Sequence, residues 1–145
     1  MKKEWIEVIN YDKAGYQPLI DYGAWRVAIL NYCDELTMAQ INNMQKHDET
    51  DEVFVLLEGE CTLFTGGMGD SLEEIDAIAM EPCRIYNVKR GVWHTHTLNR
   101  QSKVLIVENQ DTSEENSPTI MLNTDQKANL RKCFEKITTN INSMV

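Results

Sequence analysis

Long hydrophobic runs, paired cysteines and positive charge are all scarce in this sequence of 145 residues. Its densest apolar stretches, Val53-Phe54-Val55-Leu56-Leu57 and Val104-Leu105-Ile106-Val107, fall well short of the ~20 residues a helix needs to cross a membrane. The start, Met1-Lys2-Lys3-Glu4-Trp5-Ile6-Glu7, develops no apolar segment of signal-peptide length, so the expected location is the cytoplasm. The four cysteines, Cys33, Cys61, Cys83 and Cys133, are widely spaced and form no C-x-x-C pair. That spacing argues against a zinc knuckle or a disulfide framework and predicts reduced thiols. With 14 Lys and Arg against 23 Asp and Glu, the formal charge of −9 repels phosphate backbones and anionic headgroups. Nucleic acid and membranes are therefore not expected as partners. The 3 prolines and 7 glycines are scattered, so no linker divides the chain. Length and a 42% hydrophobic content predict one domain over 1–145, with enough apolar material to fold without a staple.

What the sequence does contain is a series of short alternating apolar runs. In Trp25-Arg26-Val27-Ala28-Ile29-Leu30, Trp25, Val27 and Ile29 share one face while Arg26, Ala28 and Leu30 share the other, which is strand periodicity. Similar runs lie at 38–47, 53–57, 61–65, 74–80, 84–88, 94–98 and 104–108, with turn clusters at Gly66 to Ser71 and Lys89-Arg90-Gly91. Many short, closely spaced strands predict an all-β antiparallel sandwich or barrel. One helix is expected last, at about 124–138, with Thr124 as its N-cap and Leu130, Cys133, Phe134 and Ile137 on one stripe. The polar segment Asp111 to Pro118 reads as an exposed loop outside the chemistry.

The chain has only three histidines, His47, His94 and His96, each near the end of an expected strand. Strand alternation projects Asn43, Gln45 and His47 to one side, and His94 and His96 share a face. Glu52 opens the next apolar strand. If that strand lies antiparallel beside 45–47, its carboxylate falls opposite the Gln45 and His47 face. An amide oxygen, a carboxylate and two or three imidazoles make a ligand set for a divalent transition metal. The competing reading is a barrel mouth of hydrogen-bonded polar residues without metal, yet a carboxylate facing inward needs a cation or donors around it.

These residues resemble the motifs of a small, single-domain cupin of the RmlC-like kind. The first motif, G-x5-H-x-H-x4-E-x6-G, falls on Ala39, Gln45, His47, Glu52 and Gly59, of which the last three are retained. The second, G-x5-P-x-G-x2-H-x3-N, falls on Cys83, Lys89, Gly91, His94 and Leu98, and keeps Gly91 and His94, with Asn99 one place beyond the expected asparagine. The two motifs cover 39–99. The resemblance implies a cupin double-stranded β-helix, a jelly-roll barrel, that pairs into a homodimer. It also implies one divalent transition metal (zinc, manganese, iron or nickel) held by Gln45, His47, Glu52 and His94. Phosphomannose isomerases, a zinc-containing branch of the superfamily, offer a precedent for a Q-x-H pair. His96 is the alternative to Gln45 in that shell.

The function this implies is a metal-dependent enzyme, an isomerase, lyase or dioxygenase, acting on a small polar molecule that is carbohydrate-derived or bears a carboxylate. The alternative is a non-catalytic module that binds a sugar or another small ligand, and no general base is evident beside the expected ligands. Arg26, Asn43 and Trp25 are candidate substrate contacts: a guanidinium can pair with a carboxylate or phosphate, and an indole can stack on a sugar ring.

Overall fold

The computed structural model describes residues 5–143, with side chains described up to Thr139. Ten strands and one long helix follow in the order β1 (Gly15–Tyr22), β2 (Trp25–Asn31), β3 (Asn43–Gln45), β4 (Glu52–Glu58), β5 (Cys61–Thr65), β6 (Asp76–Ala79), β7 (Ile85–Val88), β8 (His94–Leu98), β9 (Lys103–Asn109), β10 (Thr119–Met121) and α1 (Thr124–Ser143). They form two five-stranded antiparallel sheets, β1-β2-β9-β4-β7 and β10-β3-β8-β5-β6. Alternation decides which side chains meet between them. Along β9, Val104, Ile106 and Glu108 are buried while the residues between them are partly open. Ala28 and Leu30 from β2, Phe54 and Leu56 from β4, and Leu63 and Leu98 from the facing sheet complete this inner core.

A second apolar cluster lies outside the β10-to-β6 sheet. Phe64 and Met44 point outward there and are met by Ile41, Trp93, Leu122 and Leu130. The expected helical stripe docks on this layer, with Cys133 and Phe134 packed against it. The helix runs on to Ser143, and its cap is Asn123 rather than Thr124. Gln126 N–H donates to Asn123 Oδ1 at 2.8 Å while Asn123 N–H donates to Gln126 Oε1 at 2.9 Å, a reciprocal capping box.

Several expectations are corrected. The run 38–47 contributes only the three residues of β3. Strands β1 and β10 were not legible, because β1 is an edge strand with little buried on either side and β10 is three residues long. The strands carrying His47 and Glu52 are not neighbours. β3 pairs with β8 and β10, whereas β4 pairs with β7 and β9, so the turn at 48–51 carries the chain from one sheet to the other. Gly59 sits at φ +76, where an added Cβ would lie 2.5 Å from Ser102 N, so only glycine fits. Cys83 adopts φ 65, the left-handed conformation that the cupin motif's glycine would take without strain.

Candidate metal centre

The inner ends of the sheets converge on a cavity of about 560 Å³ whose walls include His47, Glu52, His94 and Glu108. Glu52 opens β4 in one sheet, while His94 opens β8 and His47 follows β3 in the other. All three are buried. His47 Nε2 lies 3.0 Å and His94 Nε2 2.9 Å from the same atom, Glu52 Oε1. The candidate ligand atoms of the three residues all fall within 4.8 Å of one another, so the group can hold a metal ion.

The other ring nitrogens settle what faces Glu52. His94 Nδ1 lies 2.9 Å from the Val92 carbonyl, an acceptor only, so Nδ1 carries the proton. His47 Nδ1 lies 2.7 Å from Ser117 Oγ. That hydroxyl donates to Asn116 Oδ1 at 3.1 Å, and the Asn116 amide is oriented by donating to Glu49 Oε2 and to the Asp111 carbonyl, each at 3.0 Å. Ser117 therefore accepts from His47 Nδ1–H. In their neutral forms both imidazoles aim an Nε2 lone pair at a carboxylate oxygen, and three electron-rich atoms meet. Positive charge has to lie among them, supplied by extra protons on the rings or by a cation.

The arrangement suits a cation on two counts. A histidine whose second nitrogen donates to a carbonyl or hydroxyl is the usual state of a metal-bound imidazole. Bonds of about 2.1 Å also place neighbouring ligands about 3 Å apart in octahedral coordination and about 3.4 Å apart in tetrahedral, close to the 3.0 and 2.9 Å of the His–Glu52 pairs. In the protonated alternative, burial opposes charge on His47, but its hydrogen bond to Glu52 and the carboxylate's field raise its pKa above 6.5. For Glu52, burial favours the neutral acid, and the hydrogen bonds from His47 and His94 outweigh it, holding the carboxyl far below the ordinary range.

Gln45 lines the same cavity, opposite His94 in the β3–β8 ladder. Its amide nitrogen donates to the Ser117 carbonyl at 3.2 Å, which leaves the oxygen as the end available to a cation. His96 also faces the cavity, tilted against Phe54 with ring centroids 5.6 Å apart. Its Nδ1 is enclosed without a partner, and burial pushes its pKa down to about 4, so the ring is neutral at physiological pH. It is not among the converging atoms.

Asn43 lines the wall. Trp25 does not, because alternation turns it to the outer face of β2, where it is 44% exposed and tilts against Tyr22. Arg26 does face inward, but four of its five N–H donors are already engaged. Nε and Nη2 reach Glu108 Oε1 at 3.1 and 2.7 Å, Nη2 also reaches the Thr112 carbonyl, and Nη1 reaches the Gln110 carbonyl.

Three residues beside the ligand group were not singled out from the sequence. Glu108 follows Val104 and Ile106 on the inward face of β9 and lies one register step beyond the Val53–Val107 pair, next to Glu52. Burial and then the charge of Glu52 raise its pKa above the usual 4.5. Tyr16 donates to Glu108 Oε1 at 2.5 Å. Ser117, buried at 3% exposure, comes from the segment expected to be an exposed loop, which also lends Thr112, Ser113 and Glu114 to the cavity wall. The β9 alternation would have revealed Glu108, whereas nothing local marks Ser117 or Tyr16.

Solved structures of like architecture include a Bacillus halodurans protein (TM-score 0.53, 17% identity, covering 70% of this chain and 74% of that one). The Streptomyces nucleoside dehydratase Pac13 gives 0.52 at 7% identity over 77% of this chain and 83% of its own. A cupin-2 domain protein from Shewanella frigidimarina gives 0.49 at 16% identity, over 69% and 85%. The domain has the cupin fold. No family profile and no curated protein sequence matches the chain. At these identities the likeness speaks for the barrel alone, and the chemistry of this chain rests on its own residues.

Proposed function

We propose that this cupin is a divalent-metal-dependent enzyme acting on a small polar molecule, with Gln45, His47, Glu52 and His94 as the metal's protein ligands. The observation that carries the proposal is the pair of Nε2 lone pairs aimed at one Glu52 oxygen while both Nδ1 protons are engaged elsewhere. A bound zinc, manganese, iron or nickel ion would supply Lewis-acid polarisation of a substrate oxygen, or oxygen chemistry if it is iron. The chain supplies the rest. Ser117 and the Val92 carbonyl keep the imidazoles oriented, and Glu108, braced by Tyr16 and Arg26, sets a second carboxylate beside the first. Glu108, the carboxyl not given to the metal, is the group placed to move a proton at a bound substrate.

Metal stoichiometry by inductively coupled plasma mass spectrometry tests this on wild-type protein beside His47→Ala, Glu52→Gln and His94→Ala. The expected result is near one transition metal per chain, lost in each variant. A metal-free wild type that stays metal-free when offered zinc, manganese, iron(II) or nickel overturns it. That outcome would favour the second reading, a small-molecule-binding module, for which the mutual stabilisation of a protonated His47 and an ionised Glu52 speaks.

A further inference from the structure

The cavity has a marked charge imbalance. Among the described residues, four carboxylates line it, Glu35, Glu52, Glu108 and Glu114, and one permanent cation, Arg26. Arg26 is largely spent on the chain itself: four of its five N–H donors go to Glu108 and two backbone carbonyls, and the Tyr16 ring lies against its guanidinium. Even with a divalent cation bound, formal negative charge exceeds positive by one.

Glu35, Leu36, Asn43 and Thr95 are shared with a second hollow of about 310 Å³, so the two adjoin across a common wall. Its remaining polar walls are the side chains of Gln40 and Asn42. Amides and hydroxyls both donate and accept, which is what a hydroxyl-bearing ligand needs, and none carries charge to neutralise an anion. The combined space falls in the range of small-molecule sites.

From this we infer that the cavity takes a neutral, hydroxyl-rich small molecule and discriminates against carboxylates and phosphates, with the polyol chain running from the His47–Glu52–His94 group into the Gln40–Asn42–Asn43 annex. The inference deepens the proposed function and rests on it for the ligand's one end. It also narrows the sequence expectation, which admitted carboxylate-bearing substrates beside carbohydrate-derived ones.

Isothermal titration calorimetry on the zinc-loaded full chain, with xylitol and D-xylose against D-xylonate and D-xylose 5-phosphate, tests it on one carbon skeleton. At low salt the neutral probes are expected to bind about tenfold or more tighter than either anion, a gap that shrinks as salt screens the walls. Replacing the rim acids, Glu35→Gln with Glu114→Gln, is expected to improve xylonate binding several-fold and so to narrow the gap between xylonate and xylitol. Gln40→Ala with Asn42→Ala is expected to weaken xylitol with metal content intact. Equal or tighter binding of an anion overturns the inference, as does failure of every neutral three- to six-carbon polyol to bind at about 100 mM, weaker than any specific site. Metal content measured on the same sample separates this from failure of the proposed function. Without metal the discrimination is expected to widen, since the cavity then loses its largest positive charge.

Discussion

At the scale of single residues, the metal group depends on atoms that never touch the metal. Ser117 is the clearest case, because its hydroxyl holds the His47 tautomer through a relay that ends at Asn116 and Glu49. Ser117→Ala is expected to lower metal affinity about 10–100-fold without unfolding the chain, as loss of such outer partners does elsewhere. Competition with a chromophoric chelator reads this out, and an unchanged affinity would remove Ser117 from the relay. Cys61 gives a prediction of the opposite kind. It is buried between the sheets, and burial alone pushes its thiol from 9.0 to about 12. A folded pKa above the unfolded one adds stability that is intact below pH 9 and is lost as pH rises from there toward about 12. The loss reaches about 1.4 kcal/mol per pH unit. Urea unfolding across the alkaline range should therefore fall less steeply in Cys61→Ala than in wild type, and parallel slopes would refute the assignment.

Among the elements, legibility followed burial. β2, β4, β5, β8 and β9 bury side chains between the sheets, and their alternation was readable in the sequence; β1 and β10 were not, since little of their surface is enclosed. His47, Glu52 and His94 were readable because a single motif-length stretch and one later histidine carry them. The alternation of β9 marks Glu108 as inward, whereas Tyr16 and Ser117 join the group through contacts spanning 92 and 70 residues, for which the local sequence has no signal. The helix was readable from its stripe, and its docking on the outer layer separates its energetics from the cavity's. Leu130 is 2% exposed within that layer, so Leu130→Ala is expected to cost about 2–5 kcal/mol in chemical denaturation. Metal affinity should not change, because the helix packs on the face of the sheet away from Glu52. A destabilisation below about 1 kcal/mol would mean that the helix is not firmly docked.

The metal group also matters to the molecule as a whole, because its members come from both sheets. His47 and His94 belong to one sheet and Glu52 to the other, so a cation held among them ties the sandwich together at the cavity end. A ligand bound only by the native state stabilises it by mass action, about 4 kcal/mol at a thousandfold excess over its dissociation constant. For a domain of 145 residues that corresponds to a rise of about 10 °C in the unfolding midpoint. The apo chain still folds, since the inner core and the outer cluster are apolar and contain none of the ligands. Zinc or manganese added to metal-free protein is therefore expected to raise Tm as one cooperative transition, and a chelator to reverse the shift. Glu52→Gln keeps the shape of the side chain and removes its charge, so it is expected to melt cooperatively with little response to metal. A wild-type Tm that none of the four candidate metals moves would show that the two sheets are held by packing alone, with protons on the histidines balancing Glu52.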